Sequence, residues 1–297
     1  MASESRNTSS LRYLASWLGL GLALFCIYLL TASQQYDADV LGELEAINRL
    51  DLSSSDPAHM LYVRLGAPIY RLWLTLGYEK DALAPMQVMN AFFGAGTIMM
   101  FALVLRRWRV WWPLVLLVSA TAALSYAFWT HTVDAFFIIP AAFFAIAALT
   151  CALYLSSARS PERRIILIVL LGGSLGLAVL SYQTSLALIP ALLAASWRIS
   201  RKHISTYVRS WIAVGAISGL LAGGVWLWQA VVLAGVQGPR ELLTWFLLGH
   251  GGMQEGLWRR EGVNLLTTLP SASIATILPV YEGLRLRLLL SGVLSLD

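Results

Sequence analysis

Residues 165–197 read IILIVLLGGSLGLAVLSYQTSLALIPALLAASW, two apolar runs parted by the polar stretch Ser181-Tyr182-Gln183-Thr184-Ser185. As a single helix rising 1.5 Å per residue this stretch would be about 48 Å long, beyond the roughly 30 Å hydrocarbon core of a bilayer even with tilt. Two shorter helices meeting at the polar break fit the same residues. The choice decides the fold, because it sets the side of the membrane on which the chain after residue 197 emerges.

Basic residues favour the break. Arg6, Arg12, Arg106, Arg107, Arg109, Arg159, Arg163, Arg164, Arg198, Arg201, Lys202 and Arg209 all fall on one side if 165–197 is two helices. Short cytoplasmic loops carry such an excess of Lys and Arg, so that side is inside and the N-terminus is cytoplasmic. A single helix would send the 198–209 cluster outside. Thirteen of the sixteen acids then fall on the opposite, outer side: Asp37, Asp39, Glu43, Glu45, Asp51, Asp56, Glu79, Asp81, Asp134, Glu241, Glu255, Glu261 and Glu282. That bias points to chemistry on the outer face.

Working outward from the break, the other apolar runs predict spans near 14–32, 85–105, 110–129, 136–156, 165–180, 184–197 and 211–235. The expected fold class is all-α, a polytopic membrane bundle of about seven transmembrane helices. Of the 297 residues, 58% are hydrophobic and only 12% charged, about half the charge usual in soluble domains. The net charge of +5 reflects anchors beside the spans, so no nucleic-acid partner is expected. Cys26 and Cys151 lie inside apolar runs and give no disulfide framework. Thr31-Ala32-Ser33 is a passable cleavage site, but the preceding run is long for a signal peptide and further spans follow, so it reads as a retained first helix. In the last span, Gly215, Gly219 and Gly223 stand four apart, the spacing that lets helices approach closely in lipid.

The outer segment 33–84 is long enough to be functional. Leu41, Leu44, Ile47 and Leu50 recur at helical spacing, with Glu45 and Arg49 as an i,i+4 pair off that stripe. Leu61, Leu65, Ile69, Leu72 and Leu76 form a second stripe, in which Pro68 is expected to kink the helix. Two amphipathic helices lying at the interface account for both stripes. A span over 60–78 would instead put Arg64 and Arg71 at membrane depth, which is expensive. Before these helices stands Tyr36-Asp37-Ala38-Asp39. A carboxylate at a partly desolvated surface is pushed toward its neutral form and can serve as a general base.

Several weak motifs in order resemble the GT-C class of membrane glycosyltransferases, and within it the bacterial protein O-mannosyltransferase-like group. They are the acids after the first span, with Asp39-Val40-Leu41-Gly42-Glu43; the stretch Asp56-Pro57-Ala58-His59-Met60-Leu61-Tyr62-Val63-Arg64-Leu65-Gly66; Met89-Asn90-Ala91-Phe92-Phe93-Gly94; Ala127-Phe128-Trp129 before Asp134; and the glycine-rich span from Gly173 to Ser185. The likeness covers roughly residues 14–200. It implies an inverting enzyme of the bacterial inner membrane, moving a sugar from a polyprenyl-phosphate donor to an acceptor hydroxyl on a protein, glycan or lipid at the outer face. In that reading Asp39 or Asp37 is the catalytic base and no cofactor is needed. Glu43 orients substrate, and His59 binds sugar or phosphate. His131 and Asp134 bracket the second outer turn, and Tyr182 and Gln183 line the third.

The departing phosphate needs a cation, for which arginine is suited by its permanent charge and paired donors. The outer candidates are Arg64 and the pair Arg259-Arg260 next to Trp258. Asp37, Asp39 and His59 lack the tight spacing of a metal site, so no metal is expected. Residues 1–236 are read as the membrane domain and 237–297 as an outer segment. Its terminal apolar run Leu288–Leu296 is too short to span, and further spans are expected beyond it. Two other classes compete: a lipid or solute transporter, whose charged sites would lie at mid-span, and a non-catalytic membrane assembly subunit.

Overall fold

The computed structural model describes residues 2–33, 40–53, 59–155, 157–158, 160–200 and 204–242, with side chains from residue 15 onward except those of 198–200. Among the described residues the protein is all-helical, with 83% in helix and no strand. The elements are α1 (Ala2–Leu30), α2 (Leu41–Asn48), α3 (Met60–Thr75), α4 (Leu83–Arg107), α5 (Trp112–Ala123), α6 (Tyr126–Val133), α7 (Ile138–Leu155), α8 (Pro161–Ser181), a 3₁₀ segment (Gln183–Leu188), α9 (Ile189–Ser200), α10 (Ile204–Trp228) and a π-helical turn (Gln229–Leu233).

Among the described residues, four helices are long and apolar enough to cross a membrane: α4, α7, α8 and α10 with its π turn. The bent pair α5–α6 makes a fifth if taken as one span. The apolar part of α1, Ala15–Leu30, and the segment Gln183–Trp197 are shorter. The described residues thus hold four or five helices of spanning length, consistent with an integral membrane protein.

The polar stretch at 181–185 does break the chain. Tyr182 is extended (φ −161°, ψ 113°), which ends α8 and starts the 3₁₀ segment. Helix directions agree. A Cβ on Gly172 of α8 would lie 2.8 Å from Ile217 Cβ, and one on Gly176 3.0 Å from Leu221 Cδ2. Contacts that advance together along both chains mean that α8 and α10 run parallel, so the segment between them must return. The same holds for α4 and α7: Gly96 meets Phe143, and Arg107 lies over Tyr154, with α5–α6 returning between them. Gly21 meets Met99 and Gly94 meets Tyr28, so α1 and α4 are antiparallel.

Three local expectations need correction. The span expected at 110–129 is two helices bent by 61°. The Ser125 hydroxyl donates to the Ala122 carbonyl at 2.7 Å and its backbone is extended, so the serine diverts the backbone ladder. Where α8 meets α10, the glycines that admit the neighbour are Gly172 and Gly176 of α8. Among the described residues, Cβ atoms at Gly215, Gly219 and Gly223 would meet nothing within 4 Å. One small-residue face suffices for close approach, and α10 presents Ile217 and Leu221 to it. Finally, the stripe on α3 is buried only in part, and Pro68 lies inside the helix. Leu61 is buried with Met60, Tyr62, Val63, Gly66, Ala67 and Tyr70, Leu65 and Ile69 are partly buried, and Leu72 and Leu76 are exposed. Gly66 sits where α2, α3 and α4 meet, its missing Cβ 2.6 Å from Ile47 and 2.7 Å from Met86. The helix is thus packed into the bundle along its first turns. The expected Glu45–Arg49 pair forms on the exposed side of α2.

Candidate functional site at the acid-rich end

The first described turn of α2 brings Glu43 against His59, the residue that precedes α3. His59 Nδ1 lies 3.0 Å from Glu43 Oε1. The carboxylate side chain is 8% exposed and the imidazole 16%. Burying a carboxylate carries a desolvation cost of several kcal/mol, offset only by good hydrogen bonding. A leucine would fasten α2 to α3 without that cost, so the pair is a functional candidate.

Rings hold the imidazole. Phe137 stacks on it at 3.5 Å between centroids, and Tyr182 lies nearly parallel to it at 5.7 Å. Phe137 also stacks on Phe136, which stacks on His131. The three outer turns expected from sequence therefore converge at one end of the bundle.

The turn carrying Phe136 and Phe137 is fixed from three sides. Gln87 Nε2 donates to the carbonyls of Ser33 (2.6 Å) and Val133 (2.9 Å). Asn90 Nδ2 donates to those of Phe136 (2.8 Å) and His131 (3.4 Å). The Tyr62 hydroxyl donates to the carbonyl of Ala135. Ala135 has φ of 60°, a left-handed conformation that is strained for alanine and is held by these bonds. Burial, and next the charge of Glu43, push the Tyr62 phenol well above its ordinary range, so it stays a neutral donor.

Arg64 leaves α3 toward α10. Its guanidinium lies 4.6 Å from the Trp228 ring centroid and donates to Gln229 Oε1 at the start of the π turn. Among the described residues its Nε is buried without a hydrogen-bond partner. Partial burial lowers its pKa, though guanidinium remains charged. His59 precedes α3 and meets Phe137 and Tyr182, whereas Arg64, within the helix, meets Trp228 and Gln229.

Glu43, His59 and Tyr182 are thus brought together, with Gln183 next in the chain, while Arg64 is directed to Trp228 and Gln229. His131 joins through Phe136. Asp134 caps the end of α6, half-buried and outside the cluster of rings. Asp37, Asp39, Arg259 and Arg260 lie outside the described residues, as does the outer segment from 243 onward. Among the described residues no group of three His, Cys, Asp or Glu side chains is placed to hold a metal ion. On the other flank of α2, an open cleft of about 440 Å³ is lined by Leu41, Leu44, Glu45, Asn48, Asp81 and Leu83.

No protein-family model, curated protein or solved structure matches this chain. The case for function therefore rests on the residues themselves.

Sequence reading missed Phe137, Gln87, Trp228 and Gln229 as parts of this region, and quoted Tyr62 and Asn90 only within motifs. Gln87 and Asn90 did leave a signal: two amides three apart in an otherwise apolar span, where polar side chains are kept for a reason. Phe137 left none beyond its place after Asp134.

Proposed function

We propose that this chain is a membrane glycosyltransferase that moves a sugar from a polyprenyl-phosphate donor to an acceptor hydroxyl at the outer face. The observation that supports it most is the buried Glu43–His59 pair, walled by Phe137 and Tyr182 at the end where the acids gather. Acceptor attack needs a proton acceptor, and this end offers carboxylates and an imidazole. The leaving phosphate needs a cation, and Arg64 is charged, half-buried and fixed beside the π turn. Aromatic walls suit a sugar ring, whose C–H faces pack on π surfaces.

In this reading the chain passes the bilayer seven times in the GT-C manner, with α1, α5–α6 and the segment 183–197 counted as spans. The alternating helix directions support that count. The side reached by the ends of α1, α6 and α8 is extracytoplasmic, where a lipid-carried headgroup arrives sideways from the outer leaflet. Asp37 or Asp39 remains the expected base by resemblance, and Arg259 and Arg260 remain candidate phosphate ligands.

Transfer of radiolabelled mannose from polyprenyl-phosphate mannose in membranes tests this, comparing wild type with Asp37→Asn and Asp39→Asn. With an aspartate as the base, the expected result is transfer by the wild type and a loss of about 100-fold or more in one variant. Full transfer in both removes these bases, and no transfer by the wild type with any polyprenyl-phosphate sugar overturns the function.

A further inference from the structure

The Glu43–His59 pair has a geometry that assigns it a more definite part, and the assignment rests on the sugar-transfer reading. With Glu43 as carboxylate and His59 as neutral imidazole, the hydrogen in the 3.0 Å contact is carried on Nδ1 and the lone pair lies on Nε2. Among the described residues Glu43 is the sole hydrogen-bond partner of the ring. Phe137 lies against the ring at 3.5 Å and 22°, so turning the ring would break both the stack and the bond to Glu43. Glu43 is itself fixed, because Leu44 and Ile47 of the same helix are buried in the core with Tyr62 and Met86. An imidazole with one nitrogen tied to a buried carboxylate and the other available is an oriented base. The charged or titratable groups around it are Glu43 from α2, Tyr62 from α3, whose hydroxyl is committed to Ala135, and Tyr182 after α8.

We propose that His59 is a catalytic residue, its Nε2 taking the proton of the acceptor hydroxyl, and that Glu43 is its positioning residue. The acceptor O–H bond breaks as its electron pair forms the new bond to the anomeric carbon. The bond from that carbon to the phosphate oxygen breaks, and its pair leaves on the polyprenyl phosphate. The proton resides on Nε2, and the imidazolium so formed lies beside the Glu43 carboxylate, leaving no new buried charge without a counter-charge. This assigns to His59 the proton that the resemblance would give to Asp37 or Asp39, so His59 stands in their place as the base.

The full chain in detergent, assayed with polyprenyl-phosphate mannose, tests the assignment. His59→Ala is expected to lower kcat about 100-fold or more while KM changes little, and added imidazole is expected to restore about tenfold. Glu43→Gln is expected to lower kcat about tenfold without response to imidazole. Should His59→Ala fail to elute as a native peak, His59→Gln takes its place. Its amide keeps the size and a bond to Glu43 but accepts no proton at neutral pH, so the same loss of kcat is expected. Wild-type kcat in a folded position-59 variant, or a loss in His59→Ala that imidazole does not relieve, overturns the assignment and leaves sugar transfer standing. Absence of transfer by the wild type overturns both.

Discussion

At the basic end of the bundle, contacts between distant segments run through aromatic side chains. Trp17 Nε1 donates to the Met99 carbonyl, Trp211 Nε1 donates to Ser196 Oγ, and Arg107 lies over Tyr154. The arginine hydrogen bonds there are local: Arg106 donates to the Val110 carbonyl four residues away and Arg164 to the Ala158 carbonyl six away, while Arg109, Arg163 and Arg209 are exposed. At the acid-rich end the hydrogen bonds of charged and amide side chains reach across the chain. Glu43 meets a partner 16 residues on, Asn90 and Gln87 hold carbonyls 41 to 54 residues away, Tyr62 one 73 away, and Arg64 a side chain 165 away. Exposed charges with local partners mark a side of the membrane and constrain little else. Buried bonds between distant segments define a shape, and in a chain this apolar there is little reason to build one from polar groups unless chemistry uses it.

The comparison is open to attack by substitution. The largest effect is expected for Asn90→Leu, which removes a donor from two carbonyls of the 131–137 turn. Each carbonyl keeps a backbone donor, Phe136 N–H on His131 and Ile139 N–H on Phe136, so the loss is that of two supplementary bonds at about 0.5–1.5 kcal/mol each. Asn90 Oδ1 is itself buried without a partner, so its removal offsets part of the loss. The net destabilisation is expected at about 2 kcal/mol, read as a lower Tm of the detergent-solubilised chain. Next comes Tyr62→Phe, which loses only the bond to Ala135 and keeps the packing, at about 1 kcal/mol by the same measurement. Arg163→Gln and Arg209→Gln at the other end are each expected to move stability by less than about 0.5 kcal/mol. Smallest of all is Arg49→Ala. Its pair with Glu45 lies at the acid-rich end, yet both side chains are more than 60% exposed and one helical turn apart. An effect of at most about 0.3 kcal/mol is expected, screened away by salt. A large effect there would mean that position at this end, rather than burial and reach, sets the energy.

Much of the architecture is legible in the sequence because lipid imposes a length. The break at Tyr182, the helices on either side of it and the helices within the first outer segment follow from apolar run length and periodicity. The bend at Ser125 does not, since a serine inside an apolar run is equally compatible with a straight helix. Nor does the sequence say which glycine-bearing helix receives its neighbour: α8 and α10 both carry the spacing, and only packing shows that Gly172 and Gly176 are the filled positions. In the site, Glu43 and His59 could be singled out as polar residues in the right segments. Their bond depends on how α2 meets α3 at Gly66, and the stack of Phe137 on His59 depends on the strained turn at Ala135. Neither leaves a periodic trace. Arg64 stands out in the sequence as a cation for phosphate, but its partners Trp228 and Gln229, far along the chain, leave no sign there.

The account turns on the acid-rich end facing the extracytoplasmic side, and labelling of single cysteines tests that most directly. With Cys26 and Cys151 replaced by alanine, Glu79→Cys and Arg163→Cys place one exposed thiol at each end. A membrane-impermeant maleimide added to intact cells is expected to label the thiol at position 79 and to reach the one at 163 only after permeabilisation. Labelling of 163 but not 79 in intact cells, or of both alike, would contradict the orientation and with it the outer-face site.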